Sequence, residues 1–418
     1  MTATPAKILA LLCLGQFLAY FDRMSFAALA PAIQNDLGLG DATLGFLLGP
    51  AFGLTYGAAA VLLARFADGR SRLRLALAGL AGWTLGAILG GLADSAVELG
   101  ATRMLMAAGQ AAYVPASLAM LLDEAPRAKR AVYLSFFTSS ASLGRSTALL
   151  GSGLVLTAIA LLPIAASFAD WRIFFLLTAI PNLAVLALLA RAGPASALPA
   201  PKRRRIPEWL RRGGRALALY AALSILPIVA LQSFAAWLPV LVVREFGLTS
   251  AQAAIWLGLV TLATAPTGQL LGGWLFRRFE WCTRNLPLVL ASGLTLALIP
   301  GAILVGSSQL VVTLASLGIL NMVFGVVSFA SIHGVQEMTP SAQRGGVNAV
   351  FLAFVTVCGL GTGPALVGVF SMAGGDLGLA LLGMLAACAG IACALSVPMG
   401  RHYRRVAWMA QREARIAR

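Results

Sequence analysis

Apolar runs of membrane-crossing length alternate with short polar breaks along almost the whole chain. They lie near residues 8–30, 43–64, 75–93, 101–122, 132–157, 171–191, 216–243, 252–276, 286–305, 310–334, 346–371 and 377–398. About 20 residues rising roughly 1.5 Å apiece cover a hydrocarbon layer of about 30 Å, so each run predicts a transmembrane helix. The fold class that follows is an all-α polytopic membrane protein with twelve transmembrane helices.

Matching segments recur in the two sets of six runs. Asp36-Leu37-Gly38-Leu39 parallels Glu245-Phe246-Gly247-Leu248, Pro126 with Arg130 parallels Pro340 with Arg344, and the run from Leu143 to Gly151 parallels that from Leu360 to Gly368. The offsets of 209, 214 and 217 drift only as loop lengths would require. The expected organisation is an amino-terminal six-helix bundle at 1–191, a basic cytoplasmic linker at 192–215, a second bundle at 216–400 and a basic tail at 401–418. Two like-oriented halves suit alternating access, with a solute site near midmembrane.

Charge gives the orientation. Of the 31 Lys and Arg residues, 26 fall in alternate connections and at the two ends, leaving only Arg172 and Arg244 in the opposite connections. The positive-inside rule makes the rich side cytoplasmic, with both termini inside. Composition agrees: 59% hydrophobic and 11% charged residues, with a mean hydropathy of +0.87, exclude a water-wetted soluble domain. The net charge of +16 sits mostly in these loops, where it meets anionic lipid headgroups and needs no nucleic acid. The linker around Lys202–Arg215 and the tail after Arg401 read either as basic amphipathic helices on the leaflet or as plain tethers. The five cysteines lack the spacing of a disulfide framework or zinc site, and the first run reads as a retained helix, not a signal peptide.

Few polar groups enter the spans, and a charge at the centre of a membrane helix costs about 2.5–3.5 kcal/mol on insertion scales, so each needs a reason. Asp22 and Arg145 fall roughly 14 residues into their helices, about 21 Å at the helical rise. Arg23 adjoins Asp22, Arg103 lies in the fourth helix, and Gln110 follows two turns later on nearly the same face. Three arginines against one aspartate predict a cavity that prefers an anion, since guanidinium binds carboxylate or phosphate through paired bonds. Asp22 reads either as a proton-titrating or gating acid or as a fixed ion-pair partner of Arg103 or Arg145. Arg145 and Gln110 read as ligand contacts or as structural partners. His333 and Glu337, four residues apart on the tenth helix, read as a gate-closing or solvated pair, or as a proton relay or even a metal site. Glycines at Gly49-Gly53-Gly57 and Gly82-Gly86-Gly90 predict close helix crossings. Gly359-x-Gly361-x-Gly363 lies inside an apolar run with no preceding strand, so it is not a nucleotide loop.

Several motifs in this order resemble the major facilitator superfamily, and most closely its bacterial spinster-like transporters, with the anion:cation symporters as near cousins. They are Tyr20-Phe21-Asp22-Arg23, Ala64-x-x-x-Asp68 with Arg70, Arg72 and Arg74, Trp171-Arg172-x-x-Phe175, Trp237-Leu238-Pro239, Arg244-Glu245-Phe246-Gly247-Leu248, and Gly359-Leu360-Gly361-Thr362-Gly363-Pro364. The resemblance covers nearly the whole chain. One departure stands out: where spinster-like sequences carry Gly-x-Gly-Glu-Ala, this chain has Ala107-Ala108-Gly109-Gln110-Ala111. The resemblance implies a proton-linked secondary transporter in a bacterial inner membrane, not an enzyme, acting as a monomer without a cofactor or metal. Its expected cargo is an organic anion or a lysolipid-like amphiphile with an anionic head. The runner-up is an exporter of drugs or secondary metabolites, and a transport-inactive receptor or assembly partner is a third reading. The expected roles are proton coupling at Asp22, substrate contact at Arg23, Arg103, Gln110 and Arg145, and gating at Asp68, Arg72, His333 and Glu337.

Overall fold

The computed structural model describes residues 5–63, 72–125, 129–163, 167–192, 208–339 and 344–416. The expected gating residue Asp68, most of the linker (193–207), Pro126 and Pro340 lie outside the described residues. The helices are α1 (Pro5–Asp36), α2 (Asp41–Leu48), α3 (Pro50–Leu63), α4 (Arg72–Gly91), α5 (Ala96–Glu124), α6 (Arg130–Ala160) and α7 (Asp170–Arg191). They continue with α8 (Glu208–Phe246), α9 (Ser250–Arg278), α10 (Glu280–Arg284), α11 (Leu286–Gly306), α12 (Leu310–Glu337), α13 (Arg344–Gly374) and α14 (Leu377–Ile416). Among the described residues, twelve helical segments are long and apolar enough to cross a membrane. The second is α2 and α3 together, broken at Gly49 before Pro50. Proline lacks the N–H that the helix needs there and its ring crowds the preceding turn.

Several helices outrun their apolar cores. α8 has 39 residues and α14 has 40, close to 60 Å at the helical rise and about twice a hydrocarbon layer. Residues 208–215 are therefore the first turns of α8, and the described part of the tail continues α14. On that extension Tyr403, Val406 and Ala407 are buried while Arg401, Arg404, Arg405 and Trp408 are exposed. Tyr403 stacks on Tyr220 with centroids 5.7 Å apart, and its hydroxyl donates to the Thr283 carbonyl at 3.0 Å. The tail is thus helical over its described length and is docked through Tyr403.

The chain divides into two compact units, Met1–Lys202 with Val242–Gly258, and Arg203–Leu241 with Leu259–Arg418. In the first, α1 packs on α6 and α7, α3 on α5, and α4 on α5 and α7. In the second, α11 packs on α12 and α14. Lipid tails are as apolar as leucine, so small residues and buried polar bonds set these contacts more than water exclusion does. The tightest crossing of α4 and α5 is made by Gly79 and Gly109: a Cβ on Gly109 would stand 2.5 Å from the Gly79 carbonyl oxygen. Of the expected Gly82-Gly86-Gly90 face, only Gly86 reaches that closeness, with Met106 at 2.6 Å, whereas Gly82 meets nothing nearer than 3.9 Å. The period-four pattern found the right helix and one of its close residues, Gly86, but missed Gly79, which shares the face of Gly86 at a spacing of seven. At one end of this unit Trp171 Nε1 donates to Asp36 at 3.0 Å, and Arg172 reaches Asp94 at 2.9 Å and the Ala93 carbonyl at 2.7 Å. These bonds tie α1 and α7 to the segment after α4.

Candidate functional site

α1 turns about 100° per residue, so Tyr20 and Arg23, three apart, share one face while Asp22 points about 100° away from Arg23. Arg23 is 4% exposed, and its Nε and Nη2 donate to Oε1 of Gln110 on α5 at 3.2 and 3.0 Å. Its guanidinium carbon lies 4.7 Å from the Tyr20 ring centroid, 4.8 Å from Phe52 and 4.7 Å from Tyr56. Arg103, two turns before Gln110 on α5, is 2% exposed and sits 4.0 Å from the Phe26 ring and 5.0 Å from Phe52. Arg145 on α6 is exposed and lies 5.1 Å from the other neighbour in the row, Tyr20. Three cations are thus interleaved with aromatic rings in the order Arg145, Tyr20, Arg23, Phe52, Arg103. The break at Gly49 starts the short helix that carries Phe52 and Tyr56, and the glycine crossing of α4 with α5 sets the depth of Arg103 and Gln110.

Ring faces attract these cations, at about 2 kcal/mol or more per contact when desolvated, without neutralising them. Nε and Nη1 of Arg103 and Nε2 of Gln110 are buried donors that meet no acceptor among the described residues. A buried cation costs several kcal/mol unless its charge and donors are answered. An anion seated against Arg103 and the Arg23–Gln110 pair would answer both.

Asp22 does not do so. Its Oδ2 accepts from Trp83 Nε1 of α4 at 2.8 Å and from Asn182 Nδ2 of α7 at 2.8 Å. Among the described residues no ion pair joins it to Arg23, Arg103 or Arg145, so the expected arginine partner is replaced by an indole and an amide. Helical rotation takes Asp22 about 100° away from Arg23, and its carboxylate meets α4 and α7 instead. Trp83 and Asn182 were not singled out in the sequence, where Trp83 passes for an apolar residue. Asn182 left a readable trace, as an amide in the middle of the sixth apolar run.

Of the expected gating residues that the structure describes, Arg72 belongs to the first unit and His333 and Glu337 to the second. Arg72 opens α4 and is buried. His333 of α12 forms a triangle with two rings that touch each other, 5.5 Å from Phe276 and 5.6 Å from Phe329, within the second unit. Glu337 ends α12 one turn later, and both residues have further interactions. Among the described residues no group of three His, Cys, Asp or Glu side chains is placed to hold a metal ion.

The family model described as Major Facilitator Superfamily matches residues 12–364. The chain belongs to that superfamily. It is a multi-pass membrane transporter of the secondary kind. It is 29% identical over 379 residues to an MFS-type efflux pump of Mycolicibacterium smegmatis, covering 88% of this chain and 84% of the pump. It is 26% identical over 330 residues to a gallate transporter of Pseudomonas putida, covering 71% of each chain. Its fold is shared with a bacterial homologue of the human lysosomal transporter Spinster, with a TM-score of 0.79 at 20% identity over 98% of both chains. The superfamily fold and the twelve helices expected from the sequence are therefore present.

Proposed function

We propose that this superfamily member moves an organic anion, or an amphiphile with an anionic head, across the membrane by alternating access, linked to protons through Asp22. The observation that carries this reading is the row of three arginines faced by rings and an amide, with no carboxylate paired to any of them among the described residues. Such a site has donors and positive charge to offer and few acceptors, so a cation or a ligand rich in donors would leave Arg103 unanswered. Tyr20, Phe52 and Tyr56 add flat apolar surface beside the charge, which suits a carboxylate on an aromatic or lipid-like body. The gallate transporter among the relatives fits this class, and the efflux pump supports the second reading, export of a drug or secondary metabolite.

Asp22 supports proton linkage by position and not by partner exchange with an arginine. Its Oδ1 meets no donor among the described residues, and its Oδ2 bonds fasten α1 to both α4 and α7. Adding or removing a proton there changes the charge at a three-helix junction, which can weight one arrangement of those helices over another. A thermal-shift screen across carboxylates, phosphates and lysolipids, followed by uptake and efflux in proteoliposomes with and without a pH gradient, tests the reading. Stabilisation by neutral or cationic compounds alone would refute the anion assignment.

A further inference from the structure

Gln110 is fully buried, and its Oε1 accepts both Nε and Nη2 of Arg23 while its Nε2 meets no acceptor among the described residues. A carboxylate in this place would take the same two bonds and cancel the guanidinium charge. An amide oxygen holds the guanidinium in the same position and cancels nothing. The groups around this point come from four helices: Tyr20 and Arg23 from α1, Phe52 and Tyr56 from α3, Arg103 from α5 itself, and Arg145 from α6 beyond Tyr20. The nearest acid in sequence, Asp22, has its Oδ2 taken by Trp83 and Asn182. Arg23 and Arg103 lie on the same Phe52 ring, so their guanidinium carbons are no more than about 10 Å apart, within the span of one small ligand.

We propose that Gln110 is a positioning residue that fixes the guanidinium of Arg23 while leaving its charge open, and that its free Nε2–H donates to the bound anion. The site then takes an ionised anion at every pH at which the anion itself is charged, with no acid paired to its arginines among the described residues to protonate first. This rests on the anion reading above and adds the pH behaviour of recognition to it.

The test is equilibrium binding of benzoate and gallate to the purified full-length transporter between about pH 5 and 8, in an Asp22→Asn background so that Asp22 contributes no slope. That background is expected to bind with a flat profile. Gln110→Glu in the same background is expected to lose more than tenfold at about pH 8, to lose more than Gln110→Met does, and to recover as the pH falls. Gln110→Met removes both amide contributions without adding charge, so its loss should be the same at every pH. A flat loss in Gln110→Glu, or a loss no larger than that of Gln110→Met, overturns the proposal and leaves the anion reading standing. A sloped profile in the Asp22→Asn background also overturns it, and needs no variant at Gln110 to fold. Failure of the wild type to bind either probe, or any anion in the wider screen, overturns the anion reading and this inference with it.

Discussion

On α1 the helical rotation sends Arg23 toward Gln110 and the rings, and Asp22 toward Trp83 and Asn182, so two adjacent residues serve two separate sites. Charge selectivity and proton linkage should therefore separate by mutation. Arg145→Ala and Arg103→Gln are each expected to weaken an anionic ligand by more than tenfold, over about 1.4 kcal/mol, while a neutral analogue changes little. Equal loss for both ligands would assign those arginines to the fold. Asp22→Asn is expected to abolish accumulation driven by a pH gradient in proteoliposomes while ligand binding and substrate exchange stay measurable. Continued accumulation would move the coupling elsewhere. Trp83→Phe leaves the carboxylate with one charge-assisted bond in place of two, a loss of about 1.5–3 kcal/mol in unfolding stability. In the Asp22→Asn background the same change should cost clearly less, and additivity in the double-mutant cycle would show that Trp83 acts through packing alone.

At the scale of elements, the crossing of α4 with α5 holds Trp83 on one side and Gln110 and Arg103 on the other, and it depends on the absence of a Cβ at Gly109 and Gly79. A methyl on Gly109 would meet the Gly79 carbonyl oxygen and the Trp83 backbone nitrogen, each at 2.5 Å, so both helices must part. Gly109→Ala is expected to lower stability by about 1–3 kcal/mol, as overpacking does. It should also weaken anion binding, since the backbone it displaces adjoins Gln110. Gly82→Ala, with 3.9 Å of room, is the matched control and should be nearly neutral in a thermal-shift measurement. Equal destabilisation by both would mean that helix packing in this unit is not set at Gly109.

For the whole molecule, the loop charges predict that positions 38–41 and 245–250 face outward and that 208–212 and 401–412 face the cytoplasm. Single-cysteine labelling on a cysteine-free background checks this, and cytoplasmic labelling at 38–41 would overturn the orientation. Cys282, in the short α10 between two spans, must be removed with the others even though partial burial pushes its thiol up and slows its reaction. Because α14 continues unbroken past Arg401, reactive positions on the tail should follow a helical period, with Arg404 and Arg405 accessible and Tyr403 and Val406 protected.

The sequence by itself determined the number of helices, the two sets of six and the superfamily. Membrane-crossing length, charge asymmetry and ordered motifs are one-dimensional properties that the bilayer imposes on each segment separately. It also marked Arg23, Arg103, Gln110 and Arg145, because a charge or amide inside an apolar run is visible without knowing its neighbours. What it left open was which polar groups meet. Whether Asp22 found an arginine or a neutral donor depended on the packing of α1 against α4 and α7, which joins residues 61 and 160 positions apart. The rings that space the arginines had no distinguishing mark, since Phe26, Phe52 and Tyr56 read as ordinary apolar positions until α1, α3 and α5 were brought together. Partner choice among buried polar groups is settled by direction and distance across helices, and only the tertiary structure supplies these.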